Sequence, residues 1–390
     1  MINPYAGINW STVKTVPSVS HAHSRSAPRT MNLVNLCVPN LGNKIHLNLS
    51  NYHGSYPLYP LTNPESLDYN EKREWCRARS GDPEGYEEAE TTRLAADHAY
   101  VPLHLQEYIE TVDLTKIIEC PNAEHHRFRV NGSDPDLYNR WHMNSVGSMW
   151  GSGHSRLDEE ELGNGAEIEW TLALDNIFAN LLYEDGGGVT INHPNWSHAP
   201  SITHQRIIDT LDYDPRVLGV EIYNDGDREA TSYPRYADNF IDPVLMTGRR
   251  CWIFAVPDHM HESQHPNDWR GVQVLLVPTE DNHECLKAYR NGNFYAKIMP
   301  QTSLMFTSIT YNDGILNVDT TNASKITLII DGKSFEFSGA SLSRPVSANN
   351  VYCRIKAETN TADDIIFSNP IMLNGIPKTN RNRDNIILYS

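Results

Sequence analysis

The sequence lacks the marks of several well-defined protein classes. Its six cysteines include no C-x-x-C pair, so neither a zinc knuckle nor a dense disulfide framework is indicated, and reduced thiols are expected. No apolar run approaches the ~18 residues that a membrane span needs. The first residues also lack a basic stretch followed by an apolar one, the pattern of a secretory signal. We therefore expect a cytoplasmic protein with no membrane span.

Positive charge is also scarce. The 390 residues include 49 acidic and 32 basic side chains, which gives a formal charge of -17. Such an acidic chain disfavours nucleic acid and anionic membranes as partners. It suits a protein that holds multivalent cations, and it suits simple solubility equally well. Nothing in the composition indicates an oligomeric state.

The middle of the chain repeats the pattern of an α/β fold. Residues 166–183 carry apolar side chains at three- and four-residue spacing, which predicts an amphipathic helix, and three consecutive glycines end it at 186–188. Residues 189–192 then predict a short buried strand that leads directly to His193. A polar side chain with metal-binding chemistry thus follows the end of a buried strand.

The same unit recurs twice. Residues 202–211 predict a helix and residues 217–223 a buried strand with Glu221 near its end, while residues 250–256 predict another strand that leads to Asp258. Active sites of α/β barrels lie at the carboxyl ends of their strands. The pattern therefore predicts an active site at this rim.

The last ninety residues have a different pattern of apolar and polar residues. After Gln301 the sequence consists of short alternating runs bounded by turn residues, and Asp331-Gly332 between two such runs predicts a hairpin. At ~100–200 residues per domain, a chain of this length is expected to form two. We predict an α/β domain with a strand-end active site over residues 1–300 and a small antiparallel β-sandwich over residues 301–390 that packs against it.

His21 and His23 are the first candidate metal ligands. They end a β-prone segment, where side chains two residues apart fall on one face and can present two imidazoles to a single ion. Neutral imidazole suits zinc, iron, manganese or nickel better than calcium. A lone His-x-His pair is a weak signal, and its weight comes from the candidates that follow.

Further histidines and carboxylates follow other strand-like segments. Their mixture of imidazole and carboxylate is the one that multinuclear hydrolase sites use. A carboxylate such as Glu124 can bridge two ions and leave room for a shared hydroxide. The further candidates are His53, Glu124, His142, His193, Asp258, His259 and His261.

The order of these motifs resembles that of the polymerase-and-histidinol-phosphatase (PHP) superfamily, and more closely its branch of stand-alone metal-dependent phosphoesterases. The resemblance spans nearly the whole chain, and the ordered set is far more specific than any single motif. The matching segments are Asn3-Pro4-Tyr5, Asn9-Trp10, His21-x-His23-Ser24, Glu124, Asn192-His193-Pro194, Glu221-Ile222-Tyr223-Asn224, the Asp258 cluster, Tyr352-Cys353-Arg354-Ile355 and Ser368-Asn369-Pro370-Ile371.

The resemblance implies a distorted (β/α)7 barrel, similar to a TIM barrel, that binds two or three divalent ions of zinc, manganese or iron. His21 and His23 would hold the first ion, and Glu124 would bridge it to a second. The remaining ligands would be His53, His142, His193, Asp258 and His259.

Two motifs depart from the family pattern. The second normally reads Thr-Asp-His but is Asn51-Tyr52-His53 here, so its aspartate is missing. The fourth normally reads Asp-x-His, whereas this chain has Asp258-His259-Met260-His261. Either His259 or His261 can be the ligand, with a slight preference for His259. Such a site could bind fewer ions or act on an unusual substrate.

The expected reaction is hydrolysis of a small phosphorylated molecule at a metal-activated water, in which Glu124 bridges the ions. Whichever of His259 and His261 is not a ligand could protonate the leaving group. Arg25 and Arg206 are candidates for phosphate recognition. Glu221 is interpreted either as an acceptor that orients a ligand histidine or as a substrate contact.

Two other functions fit the same residues. A metal-dependent amide, carbamate or ester hydrolase would use the same ligands for attack on a carbonyl. A non-catalytic protein would retain a site that binds metal or ligand without turnover, with the β-domain docking a glycan or partner. Substrate panels and metal analysis separate these alternatives.

Overall fold

A computed structural model describes residues 1–23, 27–49, 54–55, 112–125, 128–129, 142–151, 153–154, 168–195, 202–226, 235–259 and 269–375. Over these ranges the chain is a mixed α/β protein that is rich in β-sheet. None of the helices in this part of the chain is both long enough and apolar enough to cross a membrane. The five cysteines within the described ranges are buried and form no disulfide: Cys37, Cys120, Cys251, Cys285 and Cys353.

The helices and strands are numbered in chain order. The helices are α1 Ala27–Leu41, α2 Trp170–Ala179, α3 His204–Tyr213, α4 Asp238–Met246 and α5 Asn282–Asn291, with a 3-10 turn at Leu114–Lys116. The strands are β1 Lys14–His23, β2 Ile45–Leu49, β3 Gly54–Ser55, β4 Ile117–Pro121, β5 Glu124–His125, β6 Phe128–Arg129, β7 Met143–Val146, β8 Gly153–His154, β9 Ile168–Glu169, β10 Gly188–Ile191, β11 Val217–Asn224, β12 Trp252–Val256, β13 Asp258–His259, β14 Val272–Val277, β15 Phe294–Lys297, β16 Phe306–Asn312, β17 Ile315–Thr320, β18 Lys325–Ile330, β19 Lys333–Ser338, β20 Ser341–Pro345, β21 Tyr352–Glu358, β22 Ile365–Ser368 and β23 Ile371–Met372.

Two sheets carry the predicted strand-end residues. The larger has the order β19-β18-β21-β22-β15-β14-β1-β2-β4, with β13 beside β1 and β23 beside β21, and the smaller has the order β12-β11-β10-β7-β5. Strands β1, β2 and β4 are parallel, as are β10, β11 and β12. The strands that carry the predicted strand-end residues thus lie in two separate sheets, and a closed (β/α)7 barrel is not confirmed by the described residues.

The α/β units predicted from the sequence are confirmed, and the helix expected over residues 202–211 covers His204–Tyr213. The helix expected over residues 166–183 covers only Trp170–Ala179. It ends early because the next residues bond to another segment, with the Asn180 carbonyl accepting from the Met149 amide and the Leu182 amide donating to the Gly147 carbonyl. Tertiary hydrogen bonds thus replace the last predicted turn.

The C-terminal strands form two antiparallel layers. Strands β16, β17 and β20 make a three-stranded sheet, and its side chains share an apolar cluster with β18 and β21, for example Ile309 with Ile326 and Ile355. The Asp331-Gly332 hairpin is confirmed, with both residues at positive φ, 49° and 75°. Strand β22 pairs with β15, so the large sheet continues across residue 301. The boundary between 1–300 and 301–390 stays a prediction.

Because of the buried His46 on β2, we expect the stability of the fold to decrease in acid. Its side chain is fully buried, and its nitrogens bond to Ser18 Oγ (2.9 Å) and Asn282 Oδ1 (2.9 Å). Burial lowers the pKa of His46 to about 4 against an ordinary value of 6.5. Between these values the unfolded chain takes up the proton first, so acid lowers the free energy of unfolding.

Protonation of His46 alone should lower the free energy of unfolding by about 2–3 kcal/mol between pH 7 and pH 4.5. Urea denaturation at both pH values measures it. His46→Gln keeps a neutral hydrogen-bonding side chain, and we expect its free energy of unfolding to fall less over the same interval. Equal losses in wild type and variant would show that His46 is not a source of the acid sensitivity.

Candidate metal centre

The end of β1 supplies two buried imidazoles. His21 and His23 are 0% and 1% exposed, and their Nε2 atoms lie 3.2 Å apart with the rings edge to face. Two ring nitrogens that face each other this closely in the interior leave room for one common partner. The i, i+2 spacing therefore places both imidazoles as the sequence predicts.

Two carboxylates from distant segments complete this group. Glu124 places Oε1 3.3 Å from His21 Nε2 and Oε2 2.9 Å from His23 Nε2. Asp258 Oδ1 lies 3.0 Å and 3.5 Å from the same two nitrogens. A tetrahedral zinc site with bonds of ~2.0–2.1 Å has ligand atoms about 3.3 Å apart. The separations of these four groups therefore fit a single bound ion.

A second group shares one of these carboxylates. Glu124 Oε1 lies 2.9 Å from His142 Nδ1 and 3.3 Å from His193 Nε2. All three side chains are buried, and the two histidine rings meet edge to face. Because Glu124 belongs to both groups, its carboxylate can bridge two ions.

Two of the candidate ligands have an unusual backbone. His193 and Asp258 have positive φ angles of 23° and 51°, a conformation that costs about 1–3 kcal/mol for residues other than glycine. The His193 amide donates to Glu221 Oε2 (2.7 Å), and Asn224 Nδ2 donates to Asp258 Oδ2 (2.9 Å). These bonds hold both residues in the strained conformation that turns them into the cluster.

Glu221 accepts hydrogen bonds from two of the candidate ligands, His21 and His193. His21 Nδ1 donates to Glu221 Oε1 (2.8 Å), which turns Nε2 into the cluster, where it would bind an ion once its proton is displaced. Its Oε2 accepts from the His193 amide and from Asn224 Nδ2, and Glu221 is 1% exposed. These contacts favour the orienting role over the substrate contact.

The cluster concentrates negative charge in the interior. Burial opposes protonation of His21, but the carboxylates of Asp258, Glu124 and Glu221 outweigh it and hold the pKa of His21 well above its usual range. The same balance raises the pKa of His23 and of His193. Divalent cations would neutralise such a set of buried carboxylates, so the donor chemistry fits metal ions.

The remaining predicted residues are only partly described. His259 pairs its backbone with His23 through β13 and β1, and the position of its side chain is not described. Arg206 lies on α3, and its expected role in phosphate recognition stays a prediction. Arg25, His53 and His261 lie outside the described residues, so their expected roles stay predictions.

Four buried asparagines around the centre were not predicted as site residues. Asn192 Nδ2 donates to Glu124 Oε1 (3.1 Å) and to Asn144 Oδ1, and Asn224 joins Glu221 to Asp258. Asn122 donates to two backbone carbonyls beside the cluster. Each lies within three residues of a predicted site residue, and this proximity is the signal that the sequence contains.

Fold and site together define a mixed α/β protein with buried histidine–carboxylate groups that can hold metal. No protein-family model matches the chain, and no curated protein matches it. The chain is similar to the crystal structure of a two-domain protein from Bacteroides vulgatus containing a predicted PHP-like metal-dependent phosphoesterase. This likeness covers 95% of this chain and 97% of the other, at 12% identity and a TM-score of 0.40.

Proposed function

We propose that the protein is a metal-dependent phosphoesterase with a two-ion centre. The observation that carries the proposal is the position of Glu124, whose carboxylate belongs to both ligand groups. A carboxylate shared in this way can hold two ions side by side. In two-metal hydrolases such a pair of ions clamps the oxygen atoms of the substrate. Zinc, manganese and iron are the proposed ions, because imidazole and carboxylate ligands suit them.

Each side chain of the centre would have a separate role in the reaction. Bound divalent ions supply Lewis-acid activation of water and neutralise charge at the phosphoryl group. His21, held by Glu221, keeps Nε2 directed at the centre, while Asn192 fixes the Glu124 carboxylate. Proton donation to the leaving oxygen is assigned to whichever of His259 and His261 is not a ligand, and phosphate recognition to Arg25.

Replacement of His21 tests the proposal. His21→Ala removes one ligand and leaves the buried Glu221 carboxylate without that hydrogen bond, so we expect hydrolysis to fall at least about a hundredfold. Metal content, measured by elemental analysis of protein purified without chelators, should fall in parallel. His204→Ala is the matched control, because His204 is an exposed histidine on α3 that bonds to the Asn239 carbonyl.

The substrate class needs a panel of phosphomonoesters, phosphodiesters, aryl esters and carbamates. Metal-dependent turnover of phosphate esters above the others supports the proposal. Preference for carbamates or aryl esters would replace it with the carbonyl-directed hydrolase. Tight metal content with no turnover on any substrate would favour the non-catalytic binding protein. Unchanged turnover in His21→Ala would contradict the metal centre itself.

A further inference from the structure

Strand β1 contains an irregularity just before the histidine pair. Val19 lies opposite Leu47 on β2, and Ala22 lies opposite Leu49. Three steps along β1 therefore face two steps along β2, which is the signature of a β-bulge. Bulges redirect side chains and are frequent next to active sites. The direction of His21 therefore depends on how this bulge is held.

Two asparagine side chains bind the carbonyl groups at this irregularity. Asn48 Nδ2 donates to the Val19 carbonyl (2.8 Å). Asn122 Nδ2 donates to the Ser20 carbonyl (3.1 Å) and also to the Asn48 carbonyl on β2 (3.0 Å). Backbone carbonyls in the interior need such partners. The Asn122 amide thus ties β1 to β2 at the residue that precedes His21.

The amide of Asn122, like that of Asn48, leaves its oxygen without a hydrogen bond in the described part of the chain. Asn122 is fully buried. The side-chain orientation is fixed, because both partners of Nδ2 are carbonyl oxygens and only the NH2 group can donate to them. A buried oxygen without a hydrogen bond destabilises the folded protein, because it has lost its contact with water. The unbonded amide oxygen is therefore unfavourable for a residue whose only role is to fill space.

We propose that Asn122 is a positioning residue for the metal centre. It lies two residues before Glu124 in the chain and binds the carbonyl of the residue before His21, so one side chain fixes the bridging carboxylate relative to the histidine pair. The inference rests on the proposed metal site and adds the residue that sets the spacing of its ligands. Within the described ranges, the side-chain hydrogen bonds of Asn122 go to backbone carbonyls, so its effect on the centre would pass through His21 and Glu124.

The test is metal affinity in the full chain. Co²⁺ and Zn²⁺ binding is titrated against a chromophoric chelator for wild type, Asn122→Ala and Asn122→Asp. The aspartate keeps the shape but presents oxygen to two carbonyls. Asn369→Ala is the matched control, because Asn369 is also fully buried and its Nδ2 donates to the carbonyls of Gly292 (3.0 Å) and Phe294 (3.1 Å).

We expect both Asn122 variants to bind metal about 10- to 100-fold more weakly, the usual effect of residues that orient ligands, with an altered Co²⁺ absorption spectrum. Asn369→Ala should lower the melting temperature as Asn122→Ala does and leave metal affinity unchanged. Wild-type affinity in Asn122→Ala, or equal loss in Asn369→Ala, would overturn the positioning role while the metal site stands. Absence of metal binding in the wild type would instead overturn the proposed function.

Discussion

Glu124→Ala is expected to abolish metal binding in both ligand groups and to reduce hydrolysis by roughly a thousandfold or more. Glu124 lies within 3.3 Å of His21, His23, His142 and His193. Its loss would therefore remove one ligand from each of the two proposed ions, together with the proposed bridge between them. Metal ions contribute several kcal/mol of transition-state stabilisation, and each 1.36 kcal/mol is tenfold in rate.

His142→Ala provides the matched comparison. His142 belongs only to the second group, whereas the first group of His21, His23, Glu124 and Asp258 stays complete. Elemental analysis should show a loss of about one ion in His142→Ala and of every bound ion in Glu124→Ala. If Glu124→Ala kept as much metal as His142→Ala, the bridging role would be wrong. Circular dichroism confirms that both variants are folded.

Arg354→Ala is expected to destabilise the protein by about 3 kcal/mol, less than the upper range for a broken buried ion pair because its partners reach solvent. Arg354 on β21 is 1% exposed. Its Nε and Nη2 donate to the two Asp242 oxygens and Nη2 also to Asp238 Oδ1, each at 2.8 Å. Tyr352 donates to Asp242 as well. The network fastens the C-terminal strands to α4.

Urea denaturation of wild type and variant measures this loss. Arg344→Ala is the control, because Arg344 is an exposed arginine on β20 that stacks over Phe337 at 4.7 Å, a contact worth at most about 1 kcal/mol. We expect Arg354→Ala to exceed it clearly. Equal losses for the two arginines would mean that the ion network adds no more than a surface contact. Metal content should be unchanged in both.

Several features could be predicted because they depend on neighbouring residues. The His21-x-His23 spacing places both imidazoles on one face of a strand, and this holds in the structure. The Asp331-Gly332 pair supplies two residues that tolerate positive φ, so the hairpin forms where the sequence predicts it. The periodic apolar residues of α2 predict the helix, although its last turn is lost to tertiary hydrogen bonds.

The α/β pattern, the antiparallel C-terminal strands and the chemical types of the candidate ligands could thus all be predicted from the order of the residues. Three features appear only in the folded chain: Glu124 is shared between two groups, Glu221 faces His21 across 200 positions of sequence, and asparagines hold the ligands. The physical reason is that local periodicity fixes which face a side chain takes. Which distant side chains meet depends on strand order and on bulges, and these are set by the packing of the whole chain.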